Sequence, residues 1–233
     1  MKDIFSIRKV SLWIFILPVV VLNACLFISV NAYLFDNTIF AVDQIGRTGF
    51  TIPYIDGGVS ISRTARTYPT YLIFKPGMIV TAFLLIKYWI ANNELFQEIN
   101  NEKNKSNSFL FFGVISAVFL IAHAIFLGVK FDYALYKLFR RFVLLGFIVF
   151  EVTAQTLLVV CIFKAKSKIS KLINSKILIL KIILVLSLVV VALFSLPFLT
   201  SSGYTSFKHA LEWNYFIGVV SFYLLTFLFW KRP

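Results

Sequence analysis

Five polar or ionisable side chains interrupt otherwise apolar runs of this chain: Asn31, Lys75, His123, Glu151 and Glu212. In hydrocarbon an ionisable group costs about 2.5–3.5 kcal/mol on insertion scales, so such residues face a bundle interior and find partners there. A Glu–His pair is suited to general acid–base chemistry. Glu151 and His123 are therefore the candidate catalytic groups, read as one buried polar pair. Gln155 lies one turn from Glu151 on the same helical face. Lys75, with Arg63 and Arg66, suits a phosphate, because guanidinium binds it in a bidentate manner. Glu212, with Glu151, suits an amine or hydroxyl. Three readings of this set stand side by side: a lock on helix packing, a substrate or lipid site, and a proton relay.

The elements that must carry these residues are membrane spans. Of the 233 residues, 60% are hydrophobic and 14% charged, with 27 Phe, and mean hydropathy is +0.88. Soluble domains are about 25% charged. This excludes a water-soluble enzyme, a disordered chain and a disulfide-stapled secreted domain. Six runs are long enough to cross a bilayer, which takes about 20 apolar residues: 10–35, 71–90, 109–129, 142–163, 177–199 and 210–230. The first run is too long for a signal-peptide core and reads as a retained span. The expected fold is an all-α six-span bundle, a single domain over residues 1–233, with a long structured first outer loop.

A net charge of +13 reads as topology signals and attraction to anionic lipid, not as nucleic-acid binding. Basic residues concentrate at the two termini and in the second and fourth loops. The fourth loop is counted as Lys164, Lys166, Lys168, Lys171, Lys176 and Lys181. By the positive-inside rule both termini are cytoplasmic, with Arg140 and Arg141 dissenting. Residues 92–108 read as a mobile polar loop; the Asn104 sequon within it falls on the wrong side for glycosylation. Plasma and internal membranes are equally compatible. From helical rise, Glu151 lies about 14 Å and His123 about 9 Å below the outer face, with Glu212, Lys75 and Asn31 at about 5–6 Å. All fall in the outer half, and the inner half looks nearly bare. A polar cavity opening to the outer leaflet is expected.

Cys25 and Cys161 lie within apolar runs, and the chain has two histidines. No metal site, haem or other cofactor is expected. There is no Gly-x-Ser-x-Gly, His-Glu-x-x-His, Cys-x-x-Cys or phosphate-loop motif.

The outer loop, residues 36–70, has distinctive chemistry. Pro53 and Pro69 fix φ at two points, and Gly57-Gly58 permit conformations closed to other residues. Pro53-Tyr54-Ile55-Asp56-Gly57-Gly58, then Tyr68-Pro69 and Phe74, resembles the first-loop signature of the FRAG/DRAM/SFK family, and Glu212-Trp213 resembles an acidic–aromatic pair found there. Asp56 stands where that family usually has Ser, and Thr70 where Glu would follow Pro69. The resemblance implies six spans, cytoplasmic termini and a protein that binds, senses or remodels membrane lipid, similar to the N-terminal part of fungal cell-wall and GPI-lipid remodelling proteins. Pro53, Tyr54, Asp56, Gly57 and Pro69 would shape the loop. The function expected is lipid binding, sensing or remodelling in the outer or lumenal leaflet. The alternatives are a small proton-coupled transporter and a noncatalytic subunit of a membrane complex. Partners would be membrane lipids, with a membrane protein or a second copy also compatible.

Overall fold

The structure, a computed structural model, describes residues 2–41, 49–101, 106–129, 134–200 and 203–231. Arg47, Lys103, Lys105, Lys130 and Arg232 of the charge comparison, and the Asn104 sequon, lie outside these.

Six helices among the described residues are long and apolar enough to cross a membrane. They are α1 (Lys2–Val30), α3 (Thr70–Asn100), α4 (Ser108–Phe126), α5 (Ala134–Lys164), α7 (Ser175–Thr200) and α8 (Thr205–Phe229). Two short helices, α2 (Ile61–Ala65) and α6 (Lys166–Ile169), sit in connections. The chain is thus an all-α, multi-pass integral membrane protein. No strand is present among the described residues; an isolated bridge joins Ile173 to Trp230.

The six long helices close a ring. Each packs on its neighbours in the order α1, α3, α4, α5, α7, α8 and back to α1. Outward positions stay apolar, as for Phe83, Phe111, Leu193 and Phe194. With lipid as solvent, helices associate through close packing rather than hydrophobic exclusion. Gly113 shows this: a Cβ there would stand 2.4 Å from the Trp89 indole, so the ring lies flat on the α4 backbone. Tyr88, Trp89, Phe109 and Tyr223 form an aromatic cluster inside the ring.

The end of α3 differs from the sequence expectation. α3 does not stop near Ile90 but continues to Asn100. Asn92 and Asn93 are buried, and Asn93 Oδ1 accepts from the Asn107 backbone N–H at 2.9 Å. The polar stretch is therefore partly a helix end that holds the turn into α4, and the mobile loop expected over residues 92–108 is corrected to that extent. At the same end, the Lys231 N–H bonds Leu172 O at 2.9 Å and the Asn174 N–H bonds Phe229 O at 2.9 Å, closing the chain's last described residues onto the α6–α7 turn.

Candidate functional site

The chain builds two polar regions. The first is a cap at the end of the ring where α1 stops and α8 begins. Asp56 folds its own loop: its carboxylate accepts from Thr51 Oγ1 at 2.6 Å, from the Ile52 N–H at 2.8 Å and from the Gly58 N–H at 2.8 Å. These donors hold the exposed Asp56 carboxyl below the usual carboxylate range, the Thr51 bond contributing most. Gly57 has φ +61°, and a Cβ on it would lie 1.7 Å from Ser206 O. Only glycine fits this turn against α8. Tyr54 packs edge-on against Trp213 with centroids 5.1 Å apart, and its hydroxyl donates to Asn23 Oδ1 at 3.2 Å. Burial raises the Tyr54 phenol above its ordinary value, against the Asn23 bond. α8 grips the loop through three side chains. Trp213 Nε1 donates to Val59 O at 2.9 Å, Asn214 Nδ2 donates to Tyr54 O at 2.7 Å, and His209 Nδ1 lies 3.0 Å from Gly57 O. Pro53 and Pro69 are buried, and Pro69 precedes the first turn of α3.

Glu212 belongs to this cap. Its carboxyl lies against the backbone N–H groups of Ile61 and Ser62 in the first turn of α2, which Ser60 Oγ caps by accepting from the Arg63 N–H. A carboxylate suits a helix start. Glu212 therefore steadies the start of α2. Lys75 donates to Ile125 O at 3.2 Å and lies 5.6 Å from the centroid of the Tyr71 ring, tying α3 to the end of α4.

Arg63 and Arg66 are exposed on the cap. Arg66 is paired with cations rather than carboxylates: partial burial, then Arg140, then Arg63 lower its pKa. Its backbone rests against Gly128, where a Cβ would stand 3.0 Å from Arg66 O. Among the described residues no carboxylate pairs with Arg63, Arg66 or Arg140. Arg140 comes from α5 and also lies near His123. Sequence reasoning weighed Arg140 only as a topology signal. An open groove of about 810 Å³ runs along α5, lined by Leu135, Leu138, Phe139, Phe142 and Leu145 with Arg141 at its edge.

The second region is enclosed. Glu151 sits midway along the span Leu138–Lys164, about 20 Å from either end, and is 1% exposed. This is deeper than the sequence arithmetic placed it, because the helix begins before Phe142. Tyr223 Oη and Gln155 Nε2 both donate to Glu151 Oε1, and Ser116 Oγ lies 2.6 Å from Oε2. Gln155 Nε2 also reaches Val219 O at 3.2 Å. The Trp89 indole N–H is buried against the same carboxyl without a hydrogen bond of normal geometry.

His123 is not among these partners. It lies on α4 two turns beyond Ser116 and packs edge-on against Phe74, centroids 6.4 Å apart. The expected Glu151–His123 pair is corrected: both are on neighbouring helices, but seven residues of α4, about 10 Å of rise, separate His123 from the turn facing Glu151. Neither the α5 groove nor a second one near Ser6, Lys87 and Glu94 is lined by Glu151.

Lys181 is the residue the sequence reading misplaced. Counted as a loop charge, it is 0% exposed inside the ring. Its Nζ donates to Thr226 Oγ1 at 2.7 Å and stands 3.9 Å from the Phe222 ring centroid and 5.4 Å from that of Phe229. Tyr88 Oη is 3.2 Å from the same Thr226 oxygen. The half of the bundle away from the cap is therefore not bare. The missed signal was that Lys181 lies six residues inside an apolar helix, too deep for the loop.

Comparison with protein-family models, with curated proteins and with solved structures finds no match to this chain.

Proposed function

We propose that this membrane protein binds a phosphate-bearing lipid headgroup at the cap, in the outer or lumenal leaflet, through Arg63, Arg66 and Arg140. The observation that carries this reading is that Arg63 and Arg66 stand exposed on the cap, and that the charged groups acting on Arg66 are Arg140 of α5 and Arg63, not a carboxylate. Like charges held together raise the energy of the empty site, and a phosphate accepting from several guanidiniums lowers it. Arg63 and Arg66 are exposed, so the cost of ligand desolvation is modest. The apolar α5 groove beside Arg141 suits an acyl chain of the same lipid. The resemblance of residues 53–58 to the FRAG/DRAM/SFK first loop supports the same class, and membership of that family, with cytoplasmic termini, is part of this proposal. Whether the bound lipid is sensed or remodelled turns on chemistry outside the arginine cluster.

Native mass spectrometry of the gently solubilised full chain tests this. An anionic phospholipid retained by the wild type and reduced about tenfold in Arg66→Ala/Arg140→Ala is the expected result, corresponding to about 1.4 kcal/mol. Equal lipid retention by both proteins overturns the site.

A further inference from the structure

Ser116 has one hydroxyl proton and two acceptors within reach: the Gly113 carbonyl at 2.8 Å and Glu151 Oε2 at 2.6 Å. A hydroxyl donates once. If Ser116 donates to Glu151, the carboxyl is ionised and accepts from Ser116, Tyr223 and Gln155 together. If Ser116 donates to Gly113, the 2.6 Å contact can hold only through a proton on Oε2 donated back to Ser116 Oγ. Oε1, with donors from Tyr223 and Gln155, then serves as the carbonyl oxygen of the acid. The same heavy-atom positions thus satisfy both protonation states. The Gly113 carbonyl loses little when Ser116 turns away, because a mid-helix carbonyl also accepts the i+4 backbone N–H.

Every element packed on this carboxyl contributes to the balance. α3 presents Tyr88 and Trp89, α4 Ser116, α5 Gln155 and α8 Tyr223. α7 supplies the buried Lys181 amine, joined to Tyr88 through Thr226. Thr226 donates its own proton to Phe222 O at 2.9 Å, so its oxygen accepts from Lys181 and Tyr88. Among the described residues, Glu151 and Lys181 are the two buried side chains of the Asp, Glu, Lys, Arg and His types.

We propose that Glu151 is a proton-exchange site inside the bundle. It takes a solvent proton on Oε2 as the Ser116 hydroxyl turns from Glu151 to Gly113, and releases it by the reverse step. One O–H bond forms from a carboxylate lone pair, one hydrogen bond changes acceptor, and nothing is oxidised or reduced. A membrane protein with such a site can couple a proton to a conformational change or to transport. The site shares no residue with the arginine cluster, so it stands or falls separately from lipid binding.

Infrared spectroscopy of the full chain in lipid bilayers, with ¹³C-labelled glutamate, tests it. A protonated-carboxyl C=O band that shifts on deuteration, and that appears and vanishes reversibly with pH, is expected. Glu151→Gln removes the band. Ser116→Ala removes the donor to the ionised form and moves the midpoint up by about one pH unit. A Glu151 band present at every pH, absent at every pH, or unmoved by Ser116→Ala overturns the proposal. Glu151→Asp, which keeps a carboxyl but moves its band, provides the assignment should Glu151→Gln not fold.

Discussion

The cap arginines and the Glu151 cluster are both polar, and they are built in opposite ways. Around Glu151 three side chains converge on one carboxyl, and the residue is 1% exposed. Around Arg66 the neighbours are other cations, and the guanidiniums of Arg63 and Arg66 remain exposed. A buried carboxyl left without partners costs the full desolvation penalty, so Glu151 must be satisfied from within. An interfacial group has water as a fallback, and its valences stay available for a ligand. Polar residues in this bundle divide by that rule rather than by residue type. Glu212 and Lys75 were read from type as headgroup ligands, yet one steadies α2 and the other ties α3 to α4.

The comparison can be broken most forcefully at Glu151→Ala. It leaves the Tyr223, Gln155 and Ser116 donors without an acceptor, and a loss on the order of 3–5 kcal/mol in bicelle unfolding experiments is expected. A loss below about 1 kcal/mol shows that water replaces the carboxyl, and the core is then less enclosed than drawn.

Gly57→Ala comes next. Positive φ and the close approach to Ser206 predict a cost of about 2–3 kcal/mol, confined to the cap. Hydrogen exchange should quicken over residues 51–60 and in the first turn of α8, while amides of α3 to α5 hold. Faster exchange throughout would mean that the cap organises the whole ring.

Asp56 sharpens the cap further. Its folded pKa lies below the ordinary value, so its contribution is present above the ordinary carboxylate range and is lost as pH falls through the depressed folded value. Limited proteolysis of the loop should therefore accelerate on acidification, and Asp56→Asn should flatten that dependence. An acid response unchanged in the variant places it elsewhere.

The smallest effect on stability is expected at Arg63→Ala and Arg66→Ala. Relief of cation–cation repulsion predicts a midpoint of thermal unfolding equal to or slightly above wild type, within about 0.5 kcal/mol. A clear loss would show that these arginines hold the cap together, and the contrast with Glu151 would close.

Much of the architecture was legible in the chain. Six apolar runs of spanning length, with charges gathered between them, have one economical arrangement, because backbone groups in hydrocarbon must be satisfied within helices. The place of Glu151 in the middle of an apolar run also marks it as a group of the bundle interior, and it is buried there. Its partner was not legible. His123 and Ser116 lie on the same span, seven residues apart, and a one-dimensional depth scale does not say which turn of α4 meets α5. Lys181 falls within the expected span 177–199 yet counts by sequence with the adjacent cluster of lysines, and only its contacts with Thr226 and Phe222 show that it turns into the bundle.

The sequence by itself determined the solvent of this protein, the number of its spans and the presence of a stiff, glycine-containing first loop, because these follow from length, hydropathy and local backbone chemistry. The tertiary structure alone decided that Glu151 meets Ser116, Gln155 and Tyr223, that Lys181 rests on Phe222 and Thr226, and that Arg140 joins the cap. Each of those contacts depends on which helix faces close the ring, and that choice is settled by packing between elements far apart in sequence, as where Trp89 lies flat on Gly113.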